Sequence, residues 1–226
     1  MRNALNALEL LISAASYGDI PVITGDMAKQ VAQRSSNRFD NGGDVHYNLL
    51  SALQKSIRGS DENAALHYLA RLLDADGMLP AIRRLLIIAC EDIGLAYPQA
   101  MSIVKACCDI ALQTGLPEAR IPLADAVILL ATAPKSNSGE LAINAAFDRV
   151  QTGGYGDVPD YLKDKANPAQ KGLSTEERYK YPHDYPNHWV EQRYLPVEIR
   201  GDIYYKYGEN KIEQAAKAYW DRIKKI

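Results

Sequence analysis

The stretch HYNLLSALQKSIRGSDENAALHYLARLL, residues 46–73, predicts two consecutive helices. Apolar residues recur in its first half at intervals of three or four, as on one face of an α-helix: Leu49, Leu50, Leu53 and Ile57. Gly59 ends this helix, because glycine favours the conformation that follows a helix C-terminus. We expect Ser60 to begin the next helix at once, with Asp61 in its first turn, where a carboxylate suits the helix dipole.

The helical pattern continues along the chain in both directions. Towards the N-terminus it predicts a helix over residues 3–17 and a short one capped by Thr24, followed by the polar linker SSNRFDNGGD at residues 35–44. Strand signals are nearly absent, and short connections between helices are typical of an all-α fold. After the linker, helices are predicted over residues 45–57, 82–95, 98–113, 117–132 and 137–150. One more helix, between the first two of these, is predicted to begin at Ser60.

The composition and the periodicity of the sequence change after residue 151. Nine of the chain's 14 tyrosines lie beyond residue 160, among prolines and with little periodicity. Because disordered segments are poor in aromatic residues, we interpret residues 155–207 as an extended arm that docks on the helical body or on a second subunit. A last amphipathic helix is predicted over residues 210–224. The candidate interface residues of the arm are Tyr181, Tyr185, Trp189 and Tyr194.

Composition excludes several classes of protein. The net charge of −2 gives no overall field that would favour nucleic acid or a membrane surface, and no apolar run reaches the roughly 20 residues of a membrane helix. The three cysteines, two of them adjacent, do not form a disulfide framework and fit a reducing cytoplasm. Cys90 lies in the apolar run LLIIAC, so we expect it to be a small core residue.

The motifs of autonomous enzymes are missing from the sequence. A phosphate-binding loop needs Gly-Lys, and this dipeptide does not occur. The four histidines and three cysteines match no zinc spacing, so no metal site is predicted. His183 and Asp184 are adjacent in the arm, where we expect a structural role for the histidine. No nucleophile motif is present either, and the sequence predicts that this chain alone is not an enzyme.

Basic residues near helix ends are candidates for contacts with DNA, because phosphates are commonly bound there. The arm also interleaves basic and aromatic residues, a composition that suits stacking on bases but equally suits a protein interface. Both interpretations remain open at this point. The candidate DNA-binding residues are Lys55, Arg58, Arg83, Arg84 and Lys135.

Several blocks, taken in order, resemble one known family. They are HYNLLSALQKSIRGSD, AIRRLLIIACEDIGLAYPQA, APKSN and YKYPHDYPNHWVEQRYLP, which begin at His46, Ala81, Ala133 and Tyr179. Together they resemble the C-terminal region of the RarA/MgsA family of AAA+ ATPases, over essentially the whole chain. The opening RNALNALELL resembles the start of the sensor-2 helix of the AAA+ lid. On that match Arg2 is the sensor-2 arginine that reaches the γ-phosphate, although the site would be incomplete here.

The resemblance implies an architecture and a role. Residues 1–36 would be a partial AAA+ lid, residues 37–44 a linker, and residues 45–226 a helical post-AAA+ oligomerisation domain similar to a clamp-loader collar. The chain would be the C-terminal part of a DNA-dependent ATPase that acts in replication, recombination and repair at stalled forks. It would need no cofactor itself, whereas the full-length protein would use ATP and Mg²⁺.

The resemblance also implies partners and a location. These are further copies of the chain, as a homotetramer, together with DNA and single-strand-binding protein through the full-length protein. No membrane partner is implied, and the location would be the bacterial cytoplasm, in association with the nucleoid. The alternative function is a module that itself binds single-stranded or forked DNA.

Overall fold

A computed structural model describes residues 12, 24–27, 43–164, 166–168, 172–174 and 177–224. The chain divides into two compact units. The first contains residues up to Ala89 and the segment Ala100–Ala133, and the second contains Cys90–Gln99 and the chain from Pro134 onward. The predicted lid over residues 1–36 and the predicted linker fall mostly outside the described residues. In the described segment 24–27, the predicted cap at Thr24 is confirmed by a hydrogen bond from the Met27 amide to Thr24 Oγ1 at 3.3 Å.

The first unit is a helical bundle. Its core forms because each helix presents apolar side chains at helical spacing to its neighbours. The helices are α1 (Gly43–Arg58), α2 (Glu62–Asp74), α3 (Met78–Ile88), α4 (Gln99–Thr114) and α5 (Arg120–Thr132). Helix α5 is apolar around most of its circumference and contacts α1, α2 and α3.

The start of α2 corrects one sequence prediction. Ser60 does not begin the helix: it has a left-handed backbone with φ 58° and belongs to the turn after α1. Asp61 is the N-cap, and its Oδ1 accepts a hydrogen bond from the Ala64 amide at 2.8 Å. Aspartate and serine are about equally good caps, so the geometry of the α1–α2 turn decided between two adjacent candidates.

The helix predicted over residues 82–95 is interrupted. The α-helix α3 ends at Ile88 and is followed by a π-helical turn, Ala89–Ile93, and a 3₁₀ turn, Gly94–Ala96. A π turn closes hydrogen bonds one residue further along, which changes the direction in which the following side chains point. Cys90 is therefore exposed, and its prediction as a core residue is wrong.

The second unit is smaller and less regular. It contains α6 (Ser138–Thr152), the arm and α7 (Lys211–Lys224), and the 3₁₀ turn Gly94–Ala96 contacts both of these helices. The arm has no long element. It contains short 3₁₀ turns at Asp160–Leu162, Pro182–Asp184, Pro186–His188 and Val197–Ile199.

A close approach between two chain segments organises this unit. The Ser136 amide donates to the Asp92 carbonyl at 2.9 Å. Gly94 has φ 47°, and a Cβ added there would lie 2.7 Å from the Ser136 carbonyl oxygen. Only glycine tolerates both conditions, so Gly94 lets residues 92–94 pack directly on residues 134–138.

The all-α prediction is confirmed: the described part of the chain contains helices and turns but no strand. No helix within those residues combines the length and the apolar character that crossing a bilayer would require.

Candidate assembly and nucleic-acid surfaces

A buried carboxylate, Glu213, holds the second unit together. Only 2% of its surface is exposed, although it lies in the first turn of α7. Its two oxygens accept five hydrogen bonds. The donors are Ser136 Oγ at 2.5 Å, Ser138 Oγ at 2.6 Å, Tyr205 OH at 2.8 Å, the Gly208 amide at 3.0 Å and Asn210 Nδ2 at 2.5 Å.

The hydrogen bonds decide the ionisation of this cluster. Burial by itself would raise the pKa of Glu213, but donors from Ser136, Ser138, the Gly208 amide and Asn210 outweigh it and lower the pKa to about 2. Burial and the hydrogen bond to this carboxylate raise the pKa of Tyr205 to about 12. Glu213 is therefore a charged structural anchor with no free lone pair directed at a substrate.

Sequence reasoning missed Glu213, although one local signal was present. Asn210 Oδ1 accepts a hydrogen bond from the Glu213 amide at 3.0 Å, which is half of a capping box with the pattern Asn-x-x-Glu. In a complete capping box the Glu213 carboxylate would accept from the Asn210 backbone amide. Here it accepts from the hydroxyls of Ser136 and Ser138 instead. Those serines lie 75 or more positions earlier in the sequence, so no local pattern could identify them.

The basic candidates of the first unit lie on two helices in contact. Arg84 Nη1 on α3 donates to Gln54 Oε1 on α1 at 2.8 Å, beside Lys55. Lys55, Arg58 and Arg83 are exposed, whereas Arg84 is half-buried. The contact places Arg84 against α1 at the residue before Lys55, but side chains at adjacent helix positions point about 100° apart. DNA contacts by Lys55, Arg58, Arg83 and Arg84 stay predictions.

The fifth basic candidate, Lys135, belongs to the second unit and is half-buried. Burial lowers the pKa of its ammonium group, and the carboxylate of Asp92, itself buried, opposes that shift. A lysine in this position neutralises an internal charge, which is a sufficient structural reason for its presence. A DNA contact by Lys135 stays a prediction.

The arm exposes several of its candidate aromatic side chains. Tyr181, Tyr185 and Tyr194 are exposed, whereas Trp189 is half-buried. The side chain of Gln192 accepts from the Lys180 amide at 3.1 Å and donates to the Lys180 carbonyl at 2.7 Å. These two bonds join the segments of the arm that carry Tyr181 and Tyr194.

Two histidines meet in the arm. The rings of His183 and His188 have centroids 4.9 Å apart, and Tyr181 lies 5.1 Å from His183. Nowhere in the described ranges do three or more His, Cys, Asp or Glu side chains form a group suited to a metal ion. His183 and His188 are both exposed, so these ring contacts lie at the surface, and the structural role that we expected for His183 stays a prediction.

An open apolar groove lies between α2 and α5 in the first unit. It has a volume of about 470 Å³ and carries one charge of each sign, Asp74 and Arg120. Arg120 Nε donates to the Pro117 carbonyl at 2.7 Å, which holds the guanidinium near the rim. The apolar lining is formed by Leu66, Leu69, Ala70, Leu73, Leu116, Pro117 and Ala124.

Comparison with family models finds two adjacent matches. The model described as "MgsA AAA+ ATPase C terminal" matches residues 59–224. The model described as "AAA C-terminal domain" matches residues 1–58. The two matches meet between α1 and α2, and together they cover nearly the whole chain.

Curated relatives carry related names. "Replication-associated recombination protein A" of Bacillus subtilis is 49% identical over 229 residues, covering 100% of this chain and 54% of the relative. The protein of the same name from Escherichia coli K12 is 38% identical over 208 residues, covering 90% of this chain and 46% of the relative. "ATPase WRNIP1" of Dictyostelium discoideum is 32% identical over 189 residues, covering 82% of this chain and 22% of the relative. The chain thus spans about half the length of these two bacterial relatives.

Proposed function

Because the chain belongs to the MgsA family of AAA+ ATPases and matches models of C-terminal domains, we propose that it is the assembly scaffold of such an ATPase. Its task would be to hold ATPase subunits in a fixed array, as a homotetramer. The observation that supports this proposal is the exposure of Tyr181, Tyr185 and Tyr194 in the arm. Large aromatic side chains are enriched at protein interfaces, where burying them is strongly favourable.

We further propose a setting for the whole protein. The names of the relatives support a role in replication-associated recombination. The protein would be a DNA-dependent ATPase that uses ATP and Mg²⁺, acts at stalled forks and works with single-strand-binding protein in the bacterial cytoplasm, at the nucleoid. In this proposal Arg2, which lies outside the described residues, would contribute to the nucleotide site, and the 226-residue chain would not hydrolyse ATP by itself.

Sedimentation velocity and native mass spectrometry of the 226-residue chain test the scaffold proposal. We expect a tetramer at micromolar concentration, and a clean monomer at 100 µM would remove the proposal. Tyr181→Ser should weaken the assembly at least tenfold, because it deletes an exposed ring of the arm. Tyr47→Ser is the matched control, since Tyr47 is an exposed tyrosine on α1 in the other unit.

A second candidate function is direct binding of single-stranded or forked DNA. The observation in its favour is that Lys55 and Arg83 are exposed on two helices, α1 and α3, that contact each other. Phosphate contacts of this kind would make the affinity fall steeply with salt concentration. The function requires that Lys55 and Arg83 contribute to that dependence.

Fluorescence anisotropy with a labelled forked oligonucleotide between 50 and 200 mM salt tests this second function. The double variant K55E/R83E should reduce the salt slope by about 2, one unit for each phosphate that is no longer bound. The variant K105E/K217E makes the same change of charge at two exposed lysines on α4 and α7 and should keep the slope. Absence of binding at 50 mM salt, or equal slopes for the two variants, would contradict the function.

A further inference from the structure

The histidine pair of the arm has no part in the functions proposed above. His183 and His188 are both exposed, and their ring centroids lie 4.9 Å apart with 51° between the ring planes. Each belongs to one of two successive 3₁₀ turns, Pro182–Asp184 and Pro186–His188. Imidazole is the commonest protein ligand of metal ions, so two accessible rings at this distance raise the question of a shared ion.

The backbone between the two histidines brings their rings together. Each 3₁₀ turn has a proline at its start, which fixes φ there. The Tyr185 amide donates to the Pro182 carbonyl at 3.1 Å, and the His188 amide donates to the Tyr185 carbonyl at 3.0 Å. Asn187 and His188 both have a left-handed backbone, with φ 57° and 53°. That conformation costs a residue other than glycine about 1–2 kcal/mol.

Packing of the rings gives little reason for two left-handed residues in succession. Both imidazoles are exposed, so their contact removes little apolar surface from water. Tyr181, the other ring that contacts His183, is itself 53% exposed. Sparsely populated backbone conformations of this kind cluster at ligand clamps, where binding makes use of the geometry that they impose. A ligand held by both imidazoles therefore accounts for the local backbone better than ring packing does.

The distance between the rings is that of two imidazoles bound to one ion. An imidazole nitrogen binds zinc at about 2.0–2.1 Å, which puts the centre of its ring about 3.2 Å from the ion. Two rings that enclose an angle between about 90° and 110° at the ion then have centres about 4.5–5.2 Å apart. The observed 4.9 Å between the centroids of His183 and His188 lies within this range.

We propose that His183 and His188 together bind one divalent transition-metal ion such as Zn²⁺. The proposal goes beyond the scaffold function and does not depend on it. Within the described ranges no third His, Cys, Asp or Glu side chain joins the pair in a metal-binding group, so water would fill the remaining coordination positions. A site with two protein ligands is open and binds more weakly than the closed four-ligand sites of structural zinc.

The chemistry of the pair selects the kind of ion. Imidazole suits zinc, copper and nickel, whereas Mg²⁺ and Ca²⁺ are bound by oxygen. Copper should bind more tightly than zinc, because the affinity of a given nitrogen site is highest for Cu²⁺ among the divalent ions of the first row. Asp184 is the only Asp, Glu, Lys or Arg within residues 181–190, so no lysine or arginine of this segment repels a cation. The bound ion would join the two 3₁₀ turns and stabilise the conformation that holds both rings together.

Two matched variants of the untagged 226-residue chain test the proposal. His188→Asn removes one imidazole and keeps a residue that tolerates a left-handed backbone. His67→Asn is the control, since His67 is also exposed but its ring contacts Tyr68 at 5.6 Å instead of a second histidine. All chains carry Cys90→Ser, because Cys90 is exposed and a thiolate also binds zinc. Isothermal titration calorimetry with Zn²⁺, Cu²⁺ and Mg²⁺ measures binding, and proton NMR of the four histidine rings identifies those that respond.

We expect one Zn²⁺ per chain, tighter binding of Cu²⁺, no binding of Mg²⁺, and zinc-dependent shifts of two of the four histidine signals. His188→Asn should raise the dissociation constant for zinc at least tenfold, while His67→Asn leaves it unchanged. Absence of saturable zinc binding up to 1 mM, or equal affinities of the two variants, would overturn the proposal. Should circular dichroism show that His188→Asn is not folded, His183→Ala is the second variant, with the same expected loss of affinity.

Discussion

At the scale of single residues, Glu213 has the largest structural role in the second unit. A buried carboxylate with five donors contributes through charge-assisted hydrogen bonds, which are stronger than neutral ones. Its partners come from residues 136–138 at the start of α6, from Tyr205 in the arm, and from residues 208–210 just before α7. The ionised side chain therefore ties three separate segments of the chain to one point.

Removal of this carboxylate should destabilise the folded chain. We expect Glu213→Ala to lower the free energy of unfolding by about 3 kcal/mol, because several buried donors would lose their acceptor. Urea denaturation at pH 7 measures the change. Glu209→Ala is the matched control, since Glu209 is exposed and only four residues away, and it should cost less than about 0.5 kcal/mol. Equal stability of the two variants would contradict the anchoring role.

Glu213 should also make stability depend on pH in acid. The pKa of its carboxyl is about 2 in the folded chain, against an ordinary value of 4.5. A lowered pKa means that its stabilisation is fully present above pH 4.5 and is lost as the pH falls towards 2. Urea denaturation at several pH values should show that the difference in stability between the unsubstituted chain and Glu213→Gln shrinks over this range. A constant difference would contradict the ionised anchor.

At the scale of elements, local sequence patterns predict where helices occur better than they predict where the helices end. The sequence correctly predicted helices at α1, α2 and α4 to α7. Apolar spacing indicated α1, α2 and α7, and proline positions indicated the starts of α4 and α5. The interruption after α3 was not predictable. The segment LLIIACEDIG is apolar enough for a continuous helix, and residues 134–138 approach Gly94 directly after the π turn, a contact that no local pattern encodes.

The N-cap of α2 gives a prediction at this scale. Asp61→Ala removes the acceptor of the Ala64 amide and should lower the free energy of unfolding by about 1 kcal/mol. Asp61→Asn keeps an oxygen in the same place and should cost much less. Urea denaturation of both variants distinguishes a hydrogen-bonding cap from a purely electrostatic one. Equal losses in the two variants would favour the electrostatic explanation.

At the scale of the whole molecule, the missing Gly-Lys pair has a direct consequence. We expect the 226-residue chain to release no phosphate from Mg²⁺-ATP, with or without DNA, because no phosphate-binding loop can form. A colorimetric phosphate assay measures this. A turnover that follows the chain through two chromatographic steps and increases with DNA would contradict the prediction and the scaffold function together.

The sequence by itself determined the fold class, the positions of most helices, the aromatic character of the arm and, through its blocks, the family. These features depend on residues within a few positions of each other or on motifs that remain in order. The tertiary structure alone decided the Glu213 anchor, the exposure of Cys90, the contact between Arg84 and Gln54, and the exposure of Phe147 on α6. Each depends on which segments, distant in sequence, lie against each other, because burial and hydrogen-bond partners are set by contacts that local periodicity does not contain.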